Sequence, residues 1–318
     1  MKAAICTRYG PPEVLQIRDV PQPVPGRHDL LVKVHAAAVT VSETYIRSMV
    51  PTAQLWFRVL ARLAMGITKP RQPILGAVLV GDVVATGSSV RRFRVGQRVY
   101  AFTTMRMGAY AEYACVKESK IVASAPQNLT AAEAAALPYG GLMALYCLRK
   151  AGVAAGQRVF IYGASGAIGT AALQIAKHQG AHVTAACGPT NLDLVRSLGA
   201  DVVLDYTAAS PPDPLSLRER GNELYDRVID AVGRRKTSAL KVAVQAALAP
   251  GGRYVSVDDS LPRFGPRDLV RLTEFAEQGA LRPVIDRRYP LAQVADAHRY
   301  VELRHKKGNV ILDIGAFA

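Results

Sequence analysis

The sequence predicts an α/β chain of two domains: a β-rich, barrel-like domain and a doubly wound parallel sheet. Three observations predict it. Residues 1–122 hold many short apolar runs punctuated by Gly and Pro, the pattern of a small barrel. From about residue 123, strand-like and helix-like runs alternate, which right-handed crossovers turn into a parallel sheet covered on both faces. After about residue 282 the first texture returns. The domain 123–281 therefore reads as an insertion into a domain made of 1–122 and completed by 282–318. A length of 318 residues suits two domains at roughly 150 residues each, and the ligand site is expected in the cleft between them.

Element by element, Met1–Cys6 reads as a short strand and Val14–Val20 alternates apolar and polar. Asp29–Ala38 is a half-buried strand, and Ile74–Thr86, Val95–Phe102 and Tyr110–Val116 continue the β pattern. Met49–Lys69 interrupts it, with Leu55, Val59, Leu60, Leu63 and Ala64 at helical spacing; an inserted amphipathic helix or lid is expected. Thr130 with Glu133 three residues on is a capping box. Helices are then expected at Leu142–Lys150, Ile168–His178, Leu192–Leu198, Ser238–Ala247 and Leu269–Gln278. Strands are expected at Arg158–Tyr162, His182–Ala186, Val202–Leu204, Tyr225–Ala231 and Gly252–Val257. The chain closes with a helix at Ala292–Leu303 and a strand at Asn309–Ile314.

An apolar fraction of 50% and a charged fraction of 20% exclude wholesale disorder and coiled coil. Positions 159–176 are uncharged, but four Gly or Ser residues fit a strand–turn–helix better than a membrane span. The N-terminal stretch has no long apolar run of a secretory signal, so the cytoplasm is the expected compartment. The cysteines, at 6, 115, 147 and 187, form no CxxC pair, which speaks for buried thiols and against a zinc ribbon. The net charge is +15, but the basic residues are dispersed, as in Arg91–Arg94, Arg234–Lys236 and Arg304–Lys307. Solvated faces explain them better than a nucleic-acid footprint.

The chemistry-bearing motif is Gly163-Ala164-Ser165-Gly166-Ala167-Ile168-Gly169, a G-x-x-G-x-x-G variant of the dinucleotide fingerprint between a strand and a helix. Gly163 serves the sharp turn, Gly166 the backbone approach to a pyrophosphate, and Gly169 the close packing of helix on strand. The helix N-terminus offers free N–H groups to phosphate. A nucleophile elbow at Ser165 fails because position 167 is Ala rather than Gly. The next strand ends in Ala185-Ala186-Cys187-Gly188-Pro189-Thr190-Asn191, without the Asp or Glu that holds an NAD ribose. A 2′-phosphate can be accepted there, which favours NADPH.

From VGDVVATGSSVRRFRVGQRVYAF, GAYAEY, LPYGGLMAL, GASGAIG, LGADVVLDY, YDRVIDAVG and LAPGGRYVSV, the whole chain resembles the zinc-independent quinone oxidoreductase branch of the medium-chain dehydrogenase/reductase superfamily. The resemblance implies a GroES-like β-barrel catalytic domain plus a Rossmann domain, NADPH as cofactor, and a homodimer. The zinc ligands of zinc-dependent relatives correspond to Thr40 and Gly76-Ala77-Val78, so no metal is expected.

The same resemblance puts the substrate side at Thr40–Arg47. Tyr45, or Thr40 in place of the family Asn, would hydrogen-bond the carbonyl oxygen that gains charge as hydride arrives. Arg47 and Glu43 would pair to hold the loop; Tyr45 read without the family is a core or cleft-wall aromatic. Cofactor contacts carry over to Cys187, to Asn191 where the family has Lys, and to Tyr206 near the 2′-phosphate. They carry over also to Val232, Gly233, Ser256, Val257 and Asn309. Tyr139 and Met143 would flank the nicotinamide or serve packing, and Arg196 would either substitute for the missing lysine or be a solvated helix residue. The expected function is hydride transfer from NADPH to a hydrophobic quinone or α,β-unsaturated carbonyl compound. The alternative is an NADPH-binding regulatory or nucleic-acid-associated protein with little turnover.

Overall fold

The computed structural model describes residues 1–49, 65–207, 224–233 and 238–315. The amphipathic segment expected within Met49–Lys69 lies, from 50 to 64, outside them, as does the basic triplet at 234–236.

In chain order the elements are β1 (Lys2–Cys6), β2 (Leu15–Asp19), β3 (Asp29–Val39), α1 (Val41–Ser48), β4 (Val78–Thr86), β5 (Arg98–Phe102), β6 (Tyr113–Lys117) and β7 (Ile121–Ser124). Then come α2 (Ala131–Ala135), α3 (Pro138–Ala151), β8 (Arg158–Tyr162), α4 (Ala167–His178), β9 (His182–Cys187), α5 (Leu192–Ser197) and β10 (Val202–Asp205). After these follow β11 (Tyr225–Asp230), α6 (Ala239–Ala246), β12 (Leu248–Ser256), α7 (Pro266–Glu277), β13 (Ile285–Pro290), α8 (Val294–Glu302) and β14 (Asn309–Asp313). Three of these elements, α1, β7 and β13, have no counterpart in the sequence reading.

The chain divides into two compact units, Met1–Pro138 with Gly265–Thr273 and Ile285–Ala318, and Tyr139–Phe264 with Glu274–Val284. In the first, β13, β14, β3, β4, β5 and β7 follow one another in a sheet to which β6 adds beside β3. The long β3 is its hub, antiparallel to β14, β4 and β6. Its inward residues Leu30, Val32, Val34, Ala37 and Val39 join Leu79, Val99, Val122 and, from α8, Val294, Ala297 and Val301 in one buried cluster. Each such Leu or Val contributes about 1.5–3 kcal/mol on burial. Helix α2 has the expected capping box, Thr130 with Glu133. It nevertheless belongs with the first unit rather than after a boundary at 122: its buried Ala132, Ala134 and Ala135 lie against β3, β4 and β14.

The second unit is a five-stranded sheet in the order β10-β9-β8-β11-β12, every pairing parallel. Parallel neighbours require crossovers, which α4, α5 and α6 supply. The strand order reverses between β8 and β11. In a doubly wound sheet the crevice at the carboxyl ends of those two strands is where a ligand binds.

Candidate active site

The glycine turn leaves β8 at that reversal. Gly163 has φ +77°, and a Cβ there would sit 2.4 Å from Val232 Cγ2. Its N–H and that of Ala164 both donate to Ala186 O at 2.9 Å, which pins the turn to the end of β9. At Gly169 a Cβ would lie 2.2 Å from Gly163 O and 2.6 Å from Ala164 Cα, so α4 can start this close to the turn only without a side chain. Gly166 is different: a Cβ would have nothing nearer than Gly163 O at 3.6 Å. The space beside it is open, a cradle that a side chain would fill. The first N–H groups of α4, at Ala167, Ile168 and Gly169, have no intrahelical partner. Open space, free donors and the positive end of a helix fit the pyrophosphate of a dinucleotide.

The neighbouring turn after β11 rests on two residues the sequence reading passed over, Asp230 and Lys241. Asp230 Oδ1 accepts from Val232 N at 3.0 Å and Gly233 N at 3.1 Å. Its Oδ2 accepts from Lys241 Nζ at 2.7 Å and Tyr254 Oη at 2.9 Å. Lys241 Nζ also donates to Gly233 O at 2.7 Å and lies 4.8 Å from the centre of the Tyr162 ring. Both charged groups are buried. The amides of Val232 and Gly233, expected along a cofactor, are thus turned inward onto Asp230, while the Val232 side chain stays partly exposed. Ser256, likewise expected at the cofactor, is buried and bonded to Asp258 Oδ1 at 2.7 Å. Val257 donates to Asp230 O at 3.1 Å. An acid ending an apolar strand and a lysine on the apolar face of α6 were the available sequence signals.

At the end of β9, Cys187 is fully buried, and burial pushes its thiol up to about 11. Its carbonyl accepts from Tyr206 N at 3.1 Å. Burial likewise raises Cys6 to about 11 and Cys147 to about 12. Asn191 Nδ2 reaches Ser165 Oγ at 3.4 Å, joining the β9 end to the glycine turn. Tyr206 stacks on Tyr162 with ring centres 5.6 Å apart. Its hydroxyl stands 3.3 Å from where a Cβ on Gly188 would be. Arg196 is bound to Asp193 at 2.6 Å on the surface. Asp205 pairs with Cys187 across the sheet, but its Oδ1 is occupied by Thr207.

In the first unit the Thr40–Arg47 segment is a helix with Thr40 as N-cap. The Thr40 hydroxyl donates to the Glu43 carboxylate and accepts from Ser42 N at 3.2 Å. Glu43 in turn accepts from Thr40 N at 2.9 Å and from Ala77 N at 3.0 Å. Thr40 is buried and engaged in this capping box. Arg47 does not pair with Glu43. It is fully buried and donates to Glu302, to Gly10 O and, at 3.3 Å, to His298 Nδ1, contacts that hold α1 in place. His298, edge-on to Tyr110 at 5.7 Å, is pulled down to about 3, first by burial and then by the Arg47 charge. Tyr45 alone of the three is half-exposed, and its hydroxyl meets the Arg304 guanidinium. Asn309 is buried at the start of β14. In the second unit, Tyr139 and Met143 lie on α3.

A zinc ion has no donor set at the corresponding positions, where Thr40 is committed to Glu43 and Gly76 and Ala77 carry no ligating side chain. Among the described residues, no three His, Cys, Asp or Glu side chains are grouped to hold a metal. No helix there is long and apolar enough to cross a membrane.

Residues 26–127 match the family model described as alcohol dehydrogenase GroES-like domain, and 167–289 that described as zinc-binding dehydrogenase. The chain is 31% identical to the NADPH-dependent alkenal/one oxidoreductase, chloroplastic, of Arabidopsis thaliana, over 98% of this chain and 79% of that protein. It is 30% identical to the quinone-oxidoreductase homolog, chloroplastic, of Spinacia oleracea, over 96% of this chain and 95% of that one. The solved quinone oxidoreductase from Coxiella burnetii superposes with a TM-score of 0.83 at 25% identity, over 99% of each chain. With its GroES-like and Rossmann domains, the chain belongs to the zinc-independent, quinone oxidoreductase-like branch of the medium-chain dehydrogenase/reductase superfamily.

Proposed function

We propose that the protein is an NADPH-dependent oxidoreductase that reduces quinones or α,β-unsaturated ketones and aldehydes. The observation that carries this is the glycine turn at the strand-order reversal, with open space at Gly166 and the free N–H groups of α4 beside it. The resemblance to a quinone-oxidoreductase homolog and to an alkenal/one oxidoreductase supports the acceptor class.

When bound, the reduced nicotinamide supplies a hydride. Everything else falls to the chain. Ala167, Ile168 and Gly169 N–H hold the pyrophosphate, and Ser165 with Asn191 borders it. Tyr206 faces the adenosine 2′-phosphate, and the stretch from Gly188 to Asn191 carries no carboxylate to repel it. Tyr45 donates its hydroxyl proton in a hydrogen bond to the acceptor's carbonyl oxygen as charge builds there. Beside α1, Ile46, Met65, Pro70, Met105 and Met107, together with Arg71 and Gln72, line a mostly apolar hollow of about 360 Å³, which suits a hydrophobic acceptor. The assembly proposed is a homodimer, on the family resemblance.

The test is oxidation of NADPH and NADH by the purified protein with 1,4-naphthoquinone, 2-cyclohexen-1-one and trans-2-nonenal. Turnover with kcat/KM at least ten-fold higher for NADPH is expected. Equal use of NADH removes the cofactor assignment, and saturable NADPH binding without turnover of any acceptor removes the acceptor class. Sedimentation at two protein concentrations checks the dimer.

A further inference from the structure

Helix α8 ends at Glu302, and two residues later Arg304 takes φ +59°. That is the left-handed region, which a residue with a Cβ seldom occupies but in which helices commonly end just past the C-cap. From there the guanidinium turns back onto α1. Its central carbon lies 5.4 Å from the centre of the Tyr45 ring, and Nη2 donates to the Tyr45 hydroxyl. The two residues are 259 positions apart in the chain. Just before Arg304, Glu302 accepts from the buried Arg47, two residues beyond Tyr45. The contact is therefore a matched double clamp, Arg47 with Glu302 and Tyr45 with Arg304.

Hydrogen bookkeeping gives this clamp a direction. Arginine has donors only, so the Tyr45 oxygen must accept from Arg304, and the phenol's own hydrogen is left for another acceptor. Among the described residues, no other hydrogen-bond partner of that hydroxyl is present. A neutral donor in place of Arg304 would leave the oxygen the same role without the charge. A hydroxyl or carboxylate there would let Tyr45 turn its hydrogen inward.

We propose that Arg304 is a positioning residue for the reduction: it aims the Tyr45 hydroxyl hydrogen at the acceptor oxygen and holds a positive charge behind it. The proposal rests on the reading of Tyr45 as the group that hydrogen-bonds the acceptor. The class of substrate it serves is a carbonyl compound whose oxygen becomes more negative in the transition state, an enone or a quinone. Electrostatic support of this kind acts on the transition state more than on the bound ground state, so it belongs to kcat rather than KM.

The experiment measures kcat and KM with NADPH and 2-cyclohexen-1-one for Arg304→Met, Arg304→Lys and Arg304→Gly, each in the wild-type and Tyr45→Phe backgrounds. Arg304→Met should lower kcat at least ten-fold while the KM for NADPH stays within two-fold. Arg304→Lys, which keeps a donor and a charge, should recover part of that loss. In the Tyr45→Phe background the same change should alter kcat by less than two-fold, because its target is gone. Arg304→Gly, which suits the left-handed backbone, should melt no lower than Arg304→Met yet lose as much kcat. An equal loss of kcat from Arg304→Met in both backgrounds overturns the proposal, since a purely structural role would act without Tyr45. Loss of activity in Tyr45→Phe with full activity in Arg304→Met overturns Arg304 alone, whereas a fully active Tyr45→Phe overturns the reading of Tyr45 and Arg304 with it.

Discussion

The glycine turn of the second unit and helix α1 of the first are built on opposite terms. The turn at 163–169 works through backbone. It needs a left-handed residue at 163, no Cβ at 169 and open space at 166, and all three demands are met by leaving side chains out. Helix α1 works through side chains whose partners are far away in the chain: Glu43 on Ala77, Arg47 on Glu302, Tyr45 beside Arg304. A requirement for absence can be written as a spacing of glycines. A requirement for a partner depends on what the fold delivers, and the identity of α1's residues does not say which of them will be consumed by structure.

The most damaging way to break the turn is Gly169→Val. Its Cβ would overlap the Gly163 carbonyl and Ala164 Cα, both backbone, and overpacking against atoms that cannot rotate away should cost about 3 kcal/mol or more. A urea melt and a fluorescence titration with NADPH should show both stability and binding collapse. Wild-type affinity in a folded Gly169→Val protein would mean the turn is no cradle.

Close behind comes Lys241→Met. It leaves Asp230 buried without its cation, which should remove about 3 kcal/mol of stability. The 231–233 turn should loosen with it, raising the KM for NADPH more than it lowers kcat. An unchanged denaturation midpoint would show that Tyr254 and the two amides satisfy Asp230 unaided.

On the α1 side the expected effects are smaller and sharper in meaning. Thr40→Val removes the N-cap hydroxyl and should lower stability by about 1 kcal/mol, with kcat within two-fold of wild type. A ten-fold fall in kcat at unchanged stability would return Thr40 to the reacting oxygen.

The smallest effect is in pH. His298 binds its proton near 6.5 when unfolded, but only at about 3 in the folded protein. Between those values the unfolded state holds more protons, so stability rises with pH and falls on acidification. Between pH 7.5 and 6 the fall from this one group should be about 0.8 kcal/mol. Melting curves of wild type against His298→Gln should differ in slope by that amount. Parallel slopes would show His298 protonating in place.

Much of the second unit was readable as pattern. Strands and helices alternate at their natural lengths, and the resulting sheet has the order that a dinucleotide fold requires. The capping box at Thr130 and Glu133 is equally plain; the same signature at Thr40 and Glu43 opens α1, but the short polar run behind it lacks the apolar periodicity that marks a helix. What pattern missed was membership. Helix α2 follows β7 in the chain and looks like the start of the second unit. Its buried alanines settle on β3, β4 and β14 because those strands offer the apolar surface it needs.

For this protein, residue pattern alone was enough for the fold class, the dinucleotide turn and the family. The first two follow from periodicity and from glycines whose demands are met by backbone geometry within a few residues, and the family from the resemblance of motifs spread along the chain. Tertiary structure was needed to take Thr40 and Arg47 into the framework, to leave the Tyr45 hydroxyl with Arg304, and to bury Asp230 against Lys241. Those outcomes depend on hydrogen-bond and charge partners brought from elsewhere in the chain. A buried polar group must find such partners once water is gone, and no local pattern records which ones it will find.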